Sequence, residues 1–128
     1  MVRIISLLTL LASLFSCSPS SSAYTNLDVA AFAEKIQEKG IVIVDIRTAD
    51  EYADGHLVDA VNIDWYSGDF MTKIETAYPK STPLAIYCRS GRRSAAAAAK
   101  LSKSGYEVYN MLGGYIAWTK AKMETTKE

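Results

Sequence analysis

Ile41, Val42, Ile43 and Val44 follow one another with no polar residue between them, and this short run constrains the chain more than any other. Branching at Cβ favours extended backbone. A strand without polar alternation is buried on both faces, as the strands of a parallel sheet are. Parallel neighbours cannot be joined by a hairpin, so a crossover, usually a helix, has to separate them. The rest of the chain has that rhythm. Val29, Phe32, Ala33 and Ile36 lie on one face of a helix, with Asn26 as the expected N-cap and Gly40 as the stop. A short helix is expected over 48–53, a strand over 60–63 and a weak helix over 70–78, ending before Pro79. Leu84, Ala85, Ile86 and Tyr87 form a second buried strand. A helix over 94–104 follows, in which residues 95–99 are all alanine, and Gly105 ends it. A strand over 108–111 and a helix over 114–122 complete the pattern. Strands alternating with helices imply an α/β fold: a parallel sheet, right-handed crossovers, helices on both faces. Ligands of such folds sit at the carboxyl ends of the strands, which points to the loop after Tyr87.

The 128 residues allow one domain. Lys and Arg number 14, as do Asp and Glu, so no global charge favours nucleic acid or a polyanionic surface. His56 is the sole histidine, and Cys17 and Cys88 are the only cysteines, in no CxxC pair. That pattern gives no expectation of a protein-only zinc site or of another cofactor. The N-terminus reads as an export signal. Arg3 supplies positive charge, and residues 4–15 form an apolar run too short to span a bilayer comfortably. Leu14-Phe15-Ser16-Cys17 resembles a bacterial lipobox, with Phe15 departing from the commoner small or aliphatic residue. Cleavage after Ala23 is the alternative. The expected division is a signal peptide over 1–17, a Ser/Pro linker over 18–23 and a folded domain over 24–128. The expected place is the periplasm or envelope, with a lipid anchor on Cys17.

The loop after Tyr87 reads Cys88-Arg89-Ser90-Gly91-Arg92-Arg93, and Ser94 follows. A cysteine there lies just before a helix N-terminus, where backbone N–H groups have no helical partner and the helix end carries partial positive charge. Arg89, Arg92 and Arg93 add formal charge. Each favours thiolate over thiol. Gly91 permits a tight turn, and the resulting cradle of N–H groups suits an anion. An inert buried cysteine is the alternative, but three arginines are unusual company for one.

Residues 88–94 resemble the active loop of the rhodanese family. Ile43-Val44-Asp45-Ile46-Arg47, with Glu51-Tyr52, Gly55-His56-Leu57, Ala60, Asn62 and Ile63, matches the family's first signature. Leu112-Gly113-Gly114-Tyr115 with Ala117-Trp118 matches its C-terminal one. Val58 and Asp59 stand where the family often has Pro and Gly. In small exported size the chain is most similar to the periplasmic phage-shock-type members. The resemblance implies a five-stranded parallel sheet between helices and a thiosulfate sulfurtransferase activity. Cys88 would take sulfane sulfur from a donor such as thiosulfate, hold it as a persulfide and pass it to cyanide or a thiol. Arg89 and Arg92 would attract the dianion, and Arg93 would shape the loop.

Asp45, Arg47 and Glu51 are read as a structural network, with Arg47 pairing Glu51 across one helical turn and Asp45 able to face the pocket. His56 is expected as a hydrogen-bonded corner residue, and Trp65, Tyr66 and Trp118 as core or rim packing. Two other readings stand beside sulfur transfer. A phosphatase or arsenate reductase on this fold uses Cys-x5-Arg, which would put arginine at position 94, where this chain has Ser94. A binding module without catalysis commonly lacks the cysteine. With Cys17 acylated or removed, Cys88 has no resolving partner, so its persulfide must go to an external acceptor. The expected partners are a small anionic donor and a thiophilic acceptor, with no nucleic acid, no membrane contact beyond the anchor, and a monomeric state.

Overall fold

A computed structural model of the chain describes residues 23–128. The expected signal 1–17, Cys17 with it, and linker residues 18–22 lie outside the described residues. In chain order the elements are β1 (Thr25–Leu27), α1 (Val29–Lys35), β2 (Val42–Asp45), α2 (Ala49–Ala53), β3 (His56–Leu57), β4 (Val61–Asn62), α3 (Phe70–Ala77), β5 (Leu84–Tyr87), α4 (Arg92–Lys103), β6 (Val108–Met111), α5 (Gly114–Lys120) and β7 (Thr125–Thr126).

The main sheet has five strands in the order β1-β6-β5-β2-β4, and every pairing is parallel. The β-branched run is β2, held between β4 and β5. Side chains leave β5 alternately. Leu84 and Ile86 join Val44, Ile46, Phe70, Ile74, Ala97 and Leu101 in a core under α3 and α4. Ala85 and Tyr87 join Phe32, Ile43, Met111 and Trp118 in a second core under α1 and α5. Both faces of the sheet are thus covered, which is why its strands carry no polar alternation. A minor antiparallel pair, β3 with β7, ties the end of the chain to the corner after α2.

The structure corrects the reading of Asn26. It is no helix cap but the middle residue of β1, in register with Asn110 of β6, whose amide donates to the Asn26 side-chain oxygen at 3.0 Å. The cap of α1 is Asp28, which accepts the Ala31 N–H at 2.8 Å. Asn and Asp serve equally at such a position, so the sheet edge, a non-local pairing, decides between them.

Two alignments position the site. Asp45 and Tyr87, the last residues of β2 and β5, stand in register. The Ile46 N–H donates to the Tyr87 carbonyl at 3.0 Å, so the loops leaving both strands start side by side. α4 begins at Arg92, two residues earlier than expected, because Gly91 takes φ +98° and turns the chain directly from the loop into the helix.

Candidate active site

Cys88 is the residue after β5 and is 1% exposed. The chain curls around its sulfur. The Gly91 N–H donates to Sγ at 3.1 Å, and the Ser94 hydroxyl lies 3.4 Å from it. No side chain caps the N-terminus of α4, so the sulfur receives donors that a capping oxygen would otherwise take. Burial pushes the Cys88 thiol up. The Ser94 hydroxyl and the backbone N–H groups of Ser94, Gly91 and Ser90 act against burial and prevail, so the thiol lies below its ordinary range. Hydrogen bonds to the sulfur lead this effect, ahead of the arginine charges that the sequence brings to mind.

The three arginines divide. Arg93 forms a two-pronged pair with Glu51 of α2, at 2.8 and 2.9 Å, and its guanidinium lies 5.4 Å from the Tyr66 ring. That pair holds the Glu51 carboxyl down at about 2 and ties α2 to the first turn of α4. Arg89 and Arg92 are exposed and form no salt bridge among the described residues. Ser90 is exposed beside them, and its backbone N–H adds to the lowering of the Cys88 thiol.

The loop is also held from behind. The Tyr115 N–H donates to the Cys88 carbonyl at 2.8 Å, and the Ile116 N–H to the Arg89 carbonyl at 3.0 Å. The first turn of α5 thereby engages the carbonyl side of the loop and leaves the N–H side for the sulfur. This contact needs Gly114, since a Cβ there would lie 2.6 Å from the Cys88 and Arg89 oxygens. The doublet Gly113-Gly114 before an aromatic residue was the sequence signal for this brace, which residue-by-residue reasoning missed.

Beneath the loop lies a buried polar cluster. Asp45 is fully buried and accepts from the Arg47 guanidinium at 2.7 Å and from the Tyr87 hydroxyl at 2.6 Å. Arg47 also donates to the Gly55 carbonyl at 2.6 Å, and its guanidinium stacks 4.1 Å from the Tyr115 ring. Burial opposes the Arg47 charge, and Asp45 more than restores it. Burial also pushes the Tyr87 phenol far up, with the Asp45 charge adding to it. The expected Arg47–Glu51 pair does not form: Arg47 turns inward to Asp45, and Glu51 turns to Arg93. Asp45 is fully engaged below the loop and does not open to the pocket. His56 is the hydrogen-bonded corner residue expected, its Nδ1 2.8 Å from the Tyr52 carbonyl and its ring stacked on Tyr52. Trp118 is core and Trp65 packs edge-on against Phe70, while Tyr66 is 69% exposed at the rim beside Arg93.

This geometry can do one thing well: favour the anionic form of a single sulfur on a floor of hydrogen-bond donors, in a loop whose Arg89 and Arg92 are exposed and without a salt bridge among the described residues. Residues 28–121 match the family model of the rhodanese-like domain. A thiosulfate sulfurtransferase GlpE of Pseudomonas savastanoi pv. phaseolicola is 35% identical over 88 residues, covering 67% of this chain and 79% of the relative. A sulfurtransferase of Allochromatium vinosum is 36% identical over 97 residues, covering 73% and 87%. The crystal structure of a rhodanese-related protein from Thermoplasma volcanium superposes with a TM-score of 0.72 at 24% identity, covering 82% of this chain and all of that one. The α/β sheet, the cysteine loop and the match over most of the folded part agree, and the chain belongs to the rhodanese-like domain family.

Proposed function

We propose that this protein is a sulfurtransferase in which Cys88 carries sulfane sulfur from an anionic donor such as thiosulfate to an external acceptor. The names of the two bacterial relatives support the transferase class. The observation that carries the residue assignment is the set of donors converging on Cys88 Sγ. In the first half-reaction the thiolate attacks the outer sulfur of thiosulfate. The S–S bond of the donor breaks, sulfite leaves with its electron pair, and a Cys88 persulfide anion remains. Arg89 and Arg92 meet the incoming dianion, and the loop N–H groups stabilise the persulfide charge. Little proton transfer is required, which suits a loop without a histidine base. In the second half-reaction a nucleophile takes the outer sulfur and Cys88 leaves as thiolate.

The phosphatase-like reading fits less well, because Ser94, not an arginine, faces the sulfur. We also propose, from the sequence of residues 1–17, that the protein is exported and anchored through Cys17 as a monomer in the envelope. Fractionation of cells carrying the wild type and Cys17→Ser tests this: the wild type belongs with membranes and the variant in the soluble fraction. An identical distribution would remove the anchor from the account. For the activity, thiocyanate release from thiosulfate and cyanide should fall to background in Cys88→Ser. Retained turnover in that variant would reject Cys88 as the sulfur carrier.

A further inference from the structure

On the sheet face covered by α1 and α5 lies a cavity of about 440 Å³, the size of a small-molecule site. Neither Cys88 nor any other residue of its loop lines it. The inner surface is apolar: Ile43 of β2, Leu57 of β3 and Trp118 of α5 line it, and all three are buried. The polar lining is Gln37, Asp59 and Glu124, with no basic residue among the lining groups. Asp59 and Glu124 are exposed, and neither carboxylate forms a salt bridge among the described residues. Lys122, two residues before Glu124, is exposed and outside the lining. The Trp118 indole N–H donates to the Glu124 carbonyl at 2.9 Å, so it is not offered to the cavity. An apolar interior below two unpaired carboxylates disfavours an anion and complements an amphipathic cation.

The turn that carries Asp59 points the same way. The Ala60 N–H donates to the Leu57 carbonyl at 3.1 Å, which closes a turn with Val58 and Asp59 at its centre. Asp59 has φ +67°. A turn with positive φ at its second central residue is best served by Pro followed by Gly. This chain has neither, and the two side chains it has instead, Val58 and Asp59, both line the cavity. Asp tolerates this backbone better than most residues, yet with strain that glycine avoids. The turn alone does not account for a carboxylate at this position.

We propose that this cavity is a second binding site, for a small ammonium ion carried on an aliphatic body. The ammonium sits at the rim and donates to the Asp59 and Glu124 carboxylates. The aliphatic part lies over Ile43, Leu57 and Trp118. The same rim repels a dianion, so the site is not a place for the sulfur donor, and the inference stands apart from the sulfur-transfer reading.

NMR of the isotopically labelled full chain, titrated with hexylammonium chloride at neutral pH, tests it. Saturable shifts are expected at the Trp118 indole N–H and at the Leu57 and Asp59 amides. Asp59→Asn removes the charge and keeps a residue that tolerates positive φ. It should weaken binding about tenfold, and Glu124→Gln likewise. Hexanol, with the same chain and no charge, should bind about tenfold more weakly than hexylammonium, and hexanoate should not bind. No saturable shift at these groups overturns the site. Equal binding of hexanol, binding of hexanoate, or unchanged affinity in both variants overturns the assignment to an ammonium ion.

Discussion

Around Cys88, single hydrogen bonds decide the chemistry. Burial alone would push the Cys88 thiol up, and four donors bring it below its ordinary range. Ser94 is the one among them whose side chain can be removed without touching the loop backbone. Ser94→Ala should therefore raise the thiol, moving the midpoint of the alkylation-rate profile with iodoacetamide to higher pH. It should slow sulfur transfer by roughly ten- to a hundredfold, the usual loss for one hydrogen bond to a charged group. A profile that stays in place would mean that the backbone donors suffice. The arginines act differently. Arg92→Ala should raise the KM for thiosulfate, with the difference from wild type shrinking as salt is added, while the alkylation midpoint moves little. These predictions separate holding the anion from attracting it. The sequence made Cys88 and its loop legible because cysteine, glycine and arginine stand together in a few positions. It did not make the partner of Arg47 legible. Asp45 and Glu51 both lie within reach along the chain, and the choice is made by Arg93, 42 residues from Glu51, which claims that carboxylate.

The elements around the loop are braced at two points. At the back, α5 meets the loop through Gly114, with φ +58° and no room for a Cβ. Gly114→Ala should cost about 1–3 kcal/mol in thermal or chemical denaturation and reduce thiol reactivity further than that loss explains, since it pushes on the carbonyls of Cys88 and Arg89. Stability loss with normal Cys88 reactivity would show the brace to be structural only. At the front, the Glu51–Arg93 pair joins α2 to α4, and α2 itself begins with a capping box of Thr48 and Glu51. The helices and central strands were readable because their signals are local: alanine runs, apolar periodicity and β-branched blocks. β1, β3 and β7 were not. They are two or three residues long and exist only because a distant strand offers hydrogen bonds. Asn26 has the chemistry of a cap, and only the partner β6 makes it a strand residue.

For the whole molecule, the cross-element pair gives a pH dependence with a definite sign. Glu51 is held at about 2 in the folded protein against an ordinary value of 4.5. A lowered carboxyl contributes stability that is fully present above about pH 4.5 and is lost as pH falls toward 2. Glu51→Gln should remove that contribution, so the gap in Tm between wild type and variant should be largest near neutrality and close across this window. The gap should also shrink in salt, because the pair is part-exposed. A gap independent of pH would assign the stability of this corner to packing. The two cores on either side of the sheet carry the remainder, and they leave the loop after β5 as the place where buried structure and free charge meet.

Sulfur transfer through this loop turns on Cys88 becoming a persulfide. Intact mass of the protein before and after incubation with thiosulfate, with Cys88→Ser beside it, reads that directly. A gain of one sulfur atom, about 32 Da, is expected on the wild type alone, removed again by cyanide. A folded wild type that gains no mass, or a Cys88→Ser variant that gains the same mass, would contradict it.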